Sequence, residues 1–409
     1  MKLQKYISKL LDVLIAFVLL VFFSSYGFND SRNQGWYVQT FPNLNGSTIT
    51  SMTFLDSLTG FAVTNSNSLL QEYILKTTNG GDNWIINYTF NTPNSNWSFV
   101  KIGFINSNTG FAFSWAEMFK TTNGGSNWNM VINNLYPNDI AIINKDTILA
   151  VKNSGLDGGV YQTTDGGYSF TRIWGNSGTG MPYSIYMYDK YLGFQLYSGP
   201  TSYDMRRTSD GGFTWTNITG EQYVCIQMLD SLTGWKGFND IKKTTDGGLT
   251  WNNQQPPNFY ENQYFSISIL NKDTVWASGP MIIKNNIYYG VLMKTTNGGA
   301  NWGYQLLDTL VGYDVFHYIN FINRKYGWAY PFFTGGVIFD KEIHTVVGGN
   351  DITFFTGIKL VENFIPSGYT LGQNYPNPFN PSTNIPFELN ESGYIILKVY
   401  DITGRTIKE

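Results

Sequence analysis

The sequence predicts an all-β fold: a closed ring of seven four-stranded blades, followed by part of a small β-sandwich-like domain. A nonapeptide with an Asn/Asp-Gly-Gly centre recurs six times, and the aromatic residues that close the copies lie 36 to 51 residues apart. A second polar turn recurs upstream of these copies. Aromatic residues make up 17% of the 409 residues and charged residues only 13%, which is typical of all-β chains. The period is that of a β-propeller, with six or eight blades as the alternatives to seven.

The chain begins with a segment typical of a secretory signal peptide. Lysines at positions 2, 5 and 9 precede an apolar run over 13–23, and small residues follow at 25 and 27. This run is shorter than the roughly 20 residues of a membrane span. We expect residues 1–27 to be cleaved, leaving no transmembrane span, with an uncleaved anchor as the alternative. The mature chain then carries a formal charge of about −5 instead of −3, which argues against a nucleic-acid partner.

The nonapeptide predicts a β-hairpin. Its Asn/Asp-Gly-Gly centre supplies the positive φ angles that tight turns need, and the closing aromatic residue starts the next strand with a large side chain to bury. The copies are Lys76–Trp84, Lys120–Trp128, Gln162–Phe170, Arg207–Trp215, Lys243–Trp251 and Lys294–Trp302. We assign a structural role to the turn residue and aromatic residue of each copy: Asn79, Trp84, Asn123, Trp128, Asp165, Phe170, Asp210, Trp215, Asp246, Trp251, Asn297 and Trp302.

The second element predicts the seventh blade. It recurs as Leu55–Phe61, Ile105–Phe111, Ile143–Ile148, Tyr188–Phe194, Leu229–Trp235, Leu270–Trp276 and Ile322–Trp328. No copy of the nonapeptide follows the last of these. Residues 35–39 form a strand-like segment without a blade of its own, so we expect residues 36–40 to complete the blade around 321–347. The propeller is then predicted over residues 28–350, closed so that no long strand edge is exposed.

The hairpins resemble the Asp-box, or BNR repeat, whose core is Ser/Thr-x-Asp/Asn-x-Gly-x-x-Trp/Phe. Six matches at regular spacing make this resemblance strong. Together with the Asp-Ser-x-Thr-Gly-Phe/Trp turns, the hairpins also resemble the propellers of photosystem II assembly and stability factors over most of residues 35–345. Asp-boxes occur in sialidases as well. These resemblances imply the propeller fold and say less about role, because function resides in sites grafted onto folds.

The C-terminal region predicts an export signal. Residues 351–368 are a predicted linker, and residues 369–409 resemble the type A C-terminal sorting domain of the type IX secretion system. The match begins with Gln373, Asn374, Tyr375, Pro376, Asn377, Pro378, Phe379, Asn380 and Pro381. Family members continue through further strands, so we expect a partial domain. The resemblance implies the type IX secretion machinery as a partner and a secreted or cell-surface location, reached through the periplasm.

Catalytic residues are not evident, and we predict a non-enzymatic protein without cofactor or metal. A sialidase site needs three converging arginines, but Arg206 and Arg207 are adjacent on one strand and point to opposite faces. Other glycosidases need two facing carboxylates, for which Asp189, Asp204 and Glu221 remain available. The two histidines, at 317 and 344, have no metal-ligand companion at useful spacing. A sialidase- or xyloglucanase-like glycoside hydrolase is the alternative.

Two tryptophans lie outside the repeat pattern. Trp97 and Trp174 occur in loops rich in Asn, Ser and Gly, and aromatic side chains with polar neighbours are frequent binding anchors. We therefore predict that the propeller binds an unidentified protein or glycan, with Trp97 and Trp174 as candidate contacts. A scaffold resembling the photosystem assembly factors is a further alternative.

Overall fold

A computed structural model describes residues 35–91, 98–153, 157–175, 181–199, 203–257, 259, 262–284, 287–306, 315–331, 342–349, 353–354, 370–371, 382–388, 398–400 and 406–408. Within these ranges the regular elements are all β-strands. No helix that is long and apolar enough to span a membrane occurs among them. The chain divides into two compact units, Met1–Phe355 and Thr356–Glu409.

The first unit is the predicted seven-bladed propeller. Its first strand, β1 (Trp36–Val38), belongs to the last blade. Blade 1 contains β2 (Ile49–Phe54), β3 (Gly60–Thr64), β4 (Gln71–Thr77) and β5 (Ile85–Asn91). Blade 2 contains β6 (Phe99–Phe104), β7 (Gly110–Ser114), β8 (Met118–Thr121) and β9 (Asn129–Ile132). Blade 3 contains β10 (Asp139–Ile142), β11 (Ile148–Lys152), β12 (Gly159–Thr163) and β13 (Thr171–Trp174).

The remaining blades follow the same up-and-down order. Blade 4 contains β14 (Met181–Met187), β15 (Gly193–Ser198), β16 (Tyr203–Thr208) and β17 (Thr216–Ile218). Blade 5 contains β18 (Cys225–Met228), β19 (Gly234–Gly237), β20 (Ile241–Thr244) and β21 (Asn252–Asn253). Blade 6 contains β22 (Ser266–Ile269), β23 (Val275–Lys284), β24 (Ile287–Thr295) and β25 (Gly303–Leu306). Blade 7 contains β26 (Phe316–Phe321), β27 (Gly327–Pro331), β28 (Ile343–Thr345) and β1.

Five short strands follow blade 7 among the described residues. In the span predicted as a linker, β29 (Thr353–Phe354) pairs with β25 and adds a fifth strand to the sheet of blade 6. In the second unit, β30 (Thr370–Leu371) pairs with β31 (Phe387–Glu388), and β32 (Val399–Tyr400) pairs with β33 (Thr406–Lys408). The proposed sorting motif, residues 373–381, and the predicted signal, residues 1–27, lie outside the described residues.

Hydrogen bonds within the Asp-box explain why it folds as a hairpin. In blade 1, the Thr77 hydroxyl accepts the N–H of Gly81 at 2.9 Å, and the Asn79 side chain accepts the N–H of Asn83 at 3.0 Å. The hydroxyl belongs to the first threonine of the repeat. Gly80 and Gly81 have φ angles of 77° and 98°, which confirms the predicted positive φ.

The box aromatics pack between blades, as predicted, but not all to the same depth. Trp84, Trp128, Trp251 and Trp302 are buried, whereas Phe170 and Trp215 are only partly buried. The apolar clusters each combine residues of neighbouring blades; one contains Trp84 of blade 1 with Trp328 of blade 7. The core is thus a series of interfaces between adjacent blades.

The first strand of each blade is the innermost, and seven hydrogen bonds link these strands into a ring. Each bond joins a polar side chain of one inner strand to the backbone of the next. The pairs are Ser51–Ile102 N, Lys101–Ile140 O, Asp139–Ile185 N, Tyr186–Met228 N, Gln227–Ile269 N, Ser268–Phe321 N and Tyr318–Met52 O, at 2.7 to 3.2 Å. The side chains differ in type, so no sequence pattern predicts this ring.

The predicted closure by the N-terminal strand is confirmed. β1 is antiparallel to β28, with Trp36 opposite Thr345 and Val38 opposite Ile343. Blade 7 also has a hairpin turn that we did not predict from the sequence. Gly349 N–H donates to the Thr345 hydroxyl at 2.8 Å, the same bond that holds the other boxes. Trp36 supplies the aromatic, so the seventh Asp-box is assembled from both ends of the propeller.

Candidate binding site between blades 3 and 4

The up-and-down order of strands gives the propeller two faces. The turns after each first strand and the Asp-boxes after each third strand lie on one face, which we call the Asp-box face. The connections between second and third strands, and those between blades, lie on the opposite loop face. Trp174 is the last residue of β13, at the loop face.

Trp174 belongs to a cluster with Tyr197 and Arg206 of blade 4. The Trp174 and Tyr197 rings meet edge to face with centroids 5.9 Å apart. The Arg206 guanidinium lies 3.4 Å from the Tyr197 centroid and 5.6 Å from that of Trp174. All three side chains are partly buried. A cation held over two aromatic rings combines charge with flat apolar surface, which suits recognition of an acidic or polar ligand.

A buried glutamine lies at the base of this cluster. Gln195 is opposite Arg206 in the antiparallel pair of β15 and β16, so their side chains share the face of the sheet that carries Tyr197. Gln195 is 0% exposed. Neither of its amide atoms, nor Arg206 Nε, forms a hydrogen bond to another described residue. An unsatisfied buried polar group costs about 1–3 kcal/mol, so these atoms favour a small enclosed partner such as a buried water molecule.

The polar groups beside the cluster are already paired. Tyr161 donates to the Asp157 carboxylate at 2.5 Å, and Lys152 lies 3.3 Å from the same carboxylate. Burial and the Asp157 charge raise the pKa of Tyr161 to about 12. Hydrogen bonds from Tyr161 and Lys152 lower the pKa of Asp157. This pairing makes these groups structural and leaves Arg206 and Asp204, which share one face of the sheet, as the accessible polar groups.

Two exposed tyrosines extend the aromatic surface at the same end of blade 4. Tyr183 and Tyr203 are 47% and 44% exposed, and their rings meet edge to face with centroids 5.9 Å apart. Successive side chains of β16 point to opposite faces of the sheet, so Tyr203 lies on the face opposite Asp204 and Arg206. The loop end of blade 4 therefore presents aromatic rings on both sides.

The other predicted residues fall in different places. Trp97 lies outside the described residues. Asp189 accepts the backbone N–H groups after it in the turn of blade 4, and Asp204 is partly buried in β16. Glu221 pairs with Lys236 at 2.8 Å and with Lys242 at 2.9 Å. Burial acts to raise the pKa of Glu221, but these two lysines outweigh it and lower that pKa.

Both histidines have structural surroundings. His344 stacks on Trp328 with centroids 4.7 Å apart, and its Nδ1 lies 2.6 Å from the Tyr37 hydroxyl. His317 stacks on Phe265 with ring centroids 3.9 Å apart. Burial lowers their pKa values to about 3 and about 4, so both are neutral at pH 7. No group of three or more His, Cys, Asp or Glu in the described part of the chain is arranged to hold a metal ion.

One interacting carboxylate pair lies elsewhere on the loop face, and sequence reasoning missed it. Burial, followed by the charge of Glu117, raises the pKa of Glu72 to about 8. Burial also raises the pKa of Glu117. Glu72 is only 1% exposed, so a ligand does not reach it in this conformation. Its strand position gave no sign of burial beside a second glutamate.

Solved structures with similar folds are propellers. A structure described as YCF48 bound to D1 peptide shares 18% identity, with a TM-score of 0.58 over 77% of this chain and 97% of that one. YCF48 from Cyanidioschyzon merolae gives 15% identity and a TM-score of 0.56, over 76% and 98%. The GH74 xyloglucanase from Xanthomonas campestris gives 10% identity and a TM-score of 0.50, over 67% of this chain and 47% of that one. No protein-family model matches the sequence, and a search of curated proteins found no match. At these identities the similarity shows the fold alone.

Proposed function

We propose that the protein is a non-enzymatic propeller that binds a protein or glycan at the loop-face cluster of Trp174, Tyr197 and Arg206. The observation that carries this proposal is the Arg206 guanidinium stacked on Tyr197 beside Trp174, with all three side chains only partly buried. Aromatic and arginine side chains supply much of the energy at protein interfaces.

An extended peptide with an acidic side chain is the ligand class that we favour. The flat aromatic faces of Trp174 and Tyr197 are suited to pack against the side chains of an extended peptide. The Arg206 guanidinium is suited to a carboxylate. The similar YCF48 structure is described with a bound peptide, which supports a protein ligand. A glycan uses the same aromatic rings and is the second possibility.

The test is a screen of the purified protein on peptide and glycan arrays, followed by titration of the best ligand. Trp174→Ala and Arg206→Gln should each weaken binding by roughly tenfold or more, as expected of interface hot spots. Trp115→Ala is the matched control, because Trp115 is 51% exposed and belongs to blade 2. Equal binding by Trp174→Ala and the wild type would contradict the site, and array hits of only one class would identify the ligand.

Glycoside hydrolysis is the second candidate function, and the Glu72–Glu117 pair is the observation that favours it. Carboxylates in unequal environments act as acid and base in glycosidases. The burial of Glu72 is the argument against it. A panel of glycoside substrates, assayed with Glu72→Gln and Glu117→Gln, decides the matter. Turnover that either substitution abolishes would replace the binding proposal.

We also propose that the chain is exported through the type IX secretion machinery to the cell surface or medium. Support comes from the signal-like N-terminus and the Gln373–Pro381 motif of the sequence. Fractionation of cells expressing the full chain and a chain lacking residues 369–409 tests it. We expect the second protein to remain in the periplasm, and equal secretion of both would contradict the proposal.

A further inference from the structure

Several junctions between blades share a contact on the Asp-box face, whereas the boxes of blades 3 and 7 begin with Gln162 and His344 and have no lysine or arginine to make it. The cationic first residue of one Asp-box donates a hydrogen bond to the carbonyl of the first Gly of the next box. Lys76 reaches Gly124 O at 2.9 Å, Arg207 reaches Gly247 O at 2.7 Å, and Lys243 reaches Gly298 O at 2.9 Å. We call this contact the clasp. It occupies the cation, so these junctions have no free charge for a ligand.

The junction between blades 6 and 7 lacks the clasp. Lys294 is the equivalent cation, and the next turn is that of the split seventh box. The Lys294 ammonium lies 4.5 Å from the centroid of Trp276, and it forms no hydrogen bond to any described residue. The chain departs from the repeat here, with Val346 and Val347 where the complete boxes have Thr or Ser and Asn or Asp.

A pocket of ≈ 370 Å³ opens at this junction. It is lined by Leu270, Asp273, Thr274, Lys294, Thr296 and Arg324. Arg324 comes from the first turn of blade 7 and forms no ion pair with any described residue. Two cations therefore face one pocket. Burial and then the charge of Arg324 lower the pKa of Lys294, as expected for like charges without an intervening anion.

We propose that this pocket binds an oxyanion, the phosphate, sulfate or carboxylate group of a ligand, between Lys294 and Arg324. The ammonium supplies a point charge and the guanidinium a planar pair of donors, a combination suited to anionic oxygens. The exposed Thr296 hydroxyl is a further donor at the rim. The pocket lies on the Asp-box face, opposite the Trp174 cluster, so it is a second site, independent of the proposed function.

The pocket also limits the size and character of the ligand. Its volume of ≈ 370 Å³ exceeds that of a single inorganic ion and lies in the range of small-molecule sites. Asp273 lines it as well and is an acceptor for a hydroxyl or ammonium group. The oxyanion is thus expected to be carried by a larger polar molecule.

Calorimetric titration of the full chain with inorganic phosphate, sulfate and acetate, at constant ionic strength in chloride, tests the proposal. We expect saturable binding of at least one anion, and the preferred anion distinguishes a phosphorylated or sulfated ligand from a carboxylate. Lys294→Gln and Arg324→Gln should each weaken it by roughly tenfold, since each removes one charge-assisted contact. Lys325→Gln is the control, because it removes the same charge from an exposed neighbour.

The outcomes separate cleanly. Binding that is lost in Lys294→Gln and Arg324→Gln but kept in Lys325→Gln supports the site. Equal weakening in all three variants shows an effect of net charge only and overturns it, as does absence of saturable binding to the wild type. Circular dichroism of each variant confirms that the propeller is folded, and Lys294→Arg should restore binding in part.

Discussion

Blade 1 and blade 7 reach the same hairpin by different routes. In blade 1 the threonine, the turn and Trp84 are contiguous, and Asn79 bonds across the turn. In blade 7 Thr345 and Gly349 come from one end of the propeller and Trp36 from the other. Val347 stands where Asn79 stands and has no polar side chain. The threonine–glycine bond and the buried aromatic are therefore shared, whereas the acidic or amide side chain is dispensable.

The contacts of Trp36 also show how the strand pair β1–β28, the seam that closes the ring, is stabilised. Trp84 and Trp36 are 4% and 3% exposed, so both are core residues. The Trp84 indole N–H forms no hydrogen bond to a described residue, whereas that of Trp36 donates to Gln305 at 2.8 Å. β1 is thus held by a specific bond to blade 6 in addition to its pairing with β28.

Removing the seam strand should have the largest effect. Deletion of residues 28–42 removes β1 and exposes the edge of β28 with the apolar cluster of Trp276 and Phe321. We expect aggregation or loss of cooperative unfolding, measured by size-exclusion chromatography and calorimetry. Truncation after Phe355, which keeps β29 on blade 6, should melt as the full chain does. A soluble N-terminal deletion with a normal melting curve would refute the role of β1.

Single substitutions of the two tryptophans come next. Trp36→Ala and Trp84→Ala should each lower the free energy of unfolding by about 3–5 kcal/mol, because each leaves a large cavity. Trp36→Phe keeps an aromatic ring but loses the hydrogen bond to Gln305. It should therefore cost about 1 kcal/mol for that bond, plus the packing lost with the smaller ring. Chemical denaturation measures these values. A Trp36→Ala cost well below that of Trp84→Ala would show that the seam is not an equivalent blade interface.

The smallest effect concerns the turn carboxylates. Burial acts to raise the pKa of Asp246, but hydrogen bonds from Thr250 and Thr244 outweigh it and lower that pKa to about 2. A lowered folded-state pKa contributes stability above the unfolded value of 3.8, and this is lost as the pH falls toward 2. Asp246→Asn, which copies blade 1, should therefore lose less stability between pH 4 and pH 2, measured by thermal unfolding. A constant difference from the wild type over that range would contradict this.

Most of the fold could be predicted from the repeat, because its sequence signals are local. Asn/Asp-Gly-Gly turns and closing aromatics fix hairpins, and their spacing fixes the blade, so Trp36 was assigned to the last blade from the sequence. The ring of inner-strand hydrogen bonds escaped prediction since residues as different as Ser51, Lys101 and Tyr318 perform the same task. The seventh box escaped because its threonine and tryptophan are far apart in the chain.

The candidate site was predictable only in part. Trp174 was recognisable as an aromatic outside the repeat, but Gln195 and Arg206 lie in regular strands, where alternation alone does not reveal an unpaired buried group. The Lys294 pocket was equally hidden. Its lysine matches the consensus, and only the missing clasp shows that the ammonium has no hydrogen-bond partner among the described residues.

From this closure of the ring at the seam we expect an order of folding. Tyr37 and His344 are in contact although 307 positions separate them, so β1 has no partner until the last blade exists. Before blade 7 forms, the other blades are expected to form an open arc in which β1 is unpaired. Contacts between distant residues slow folding, and we therefore expect closure to be the final, rate-limiting event. By the same reasoning the seam is where thermal opening begins, and amide exchange should be fastest there among the buried strands.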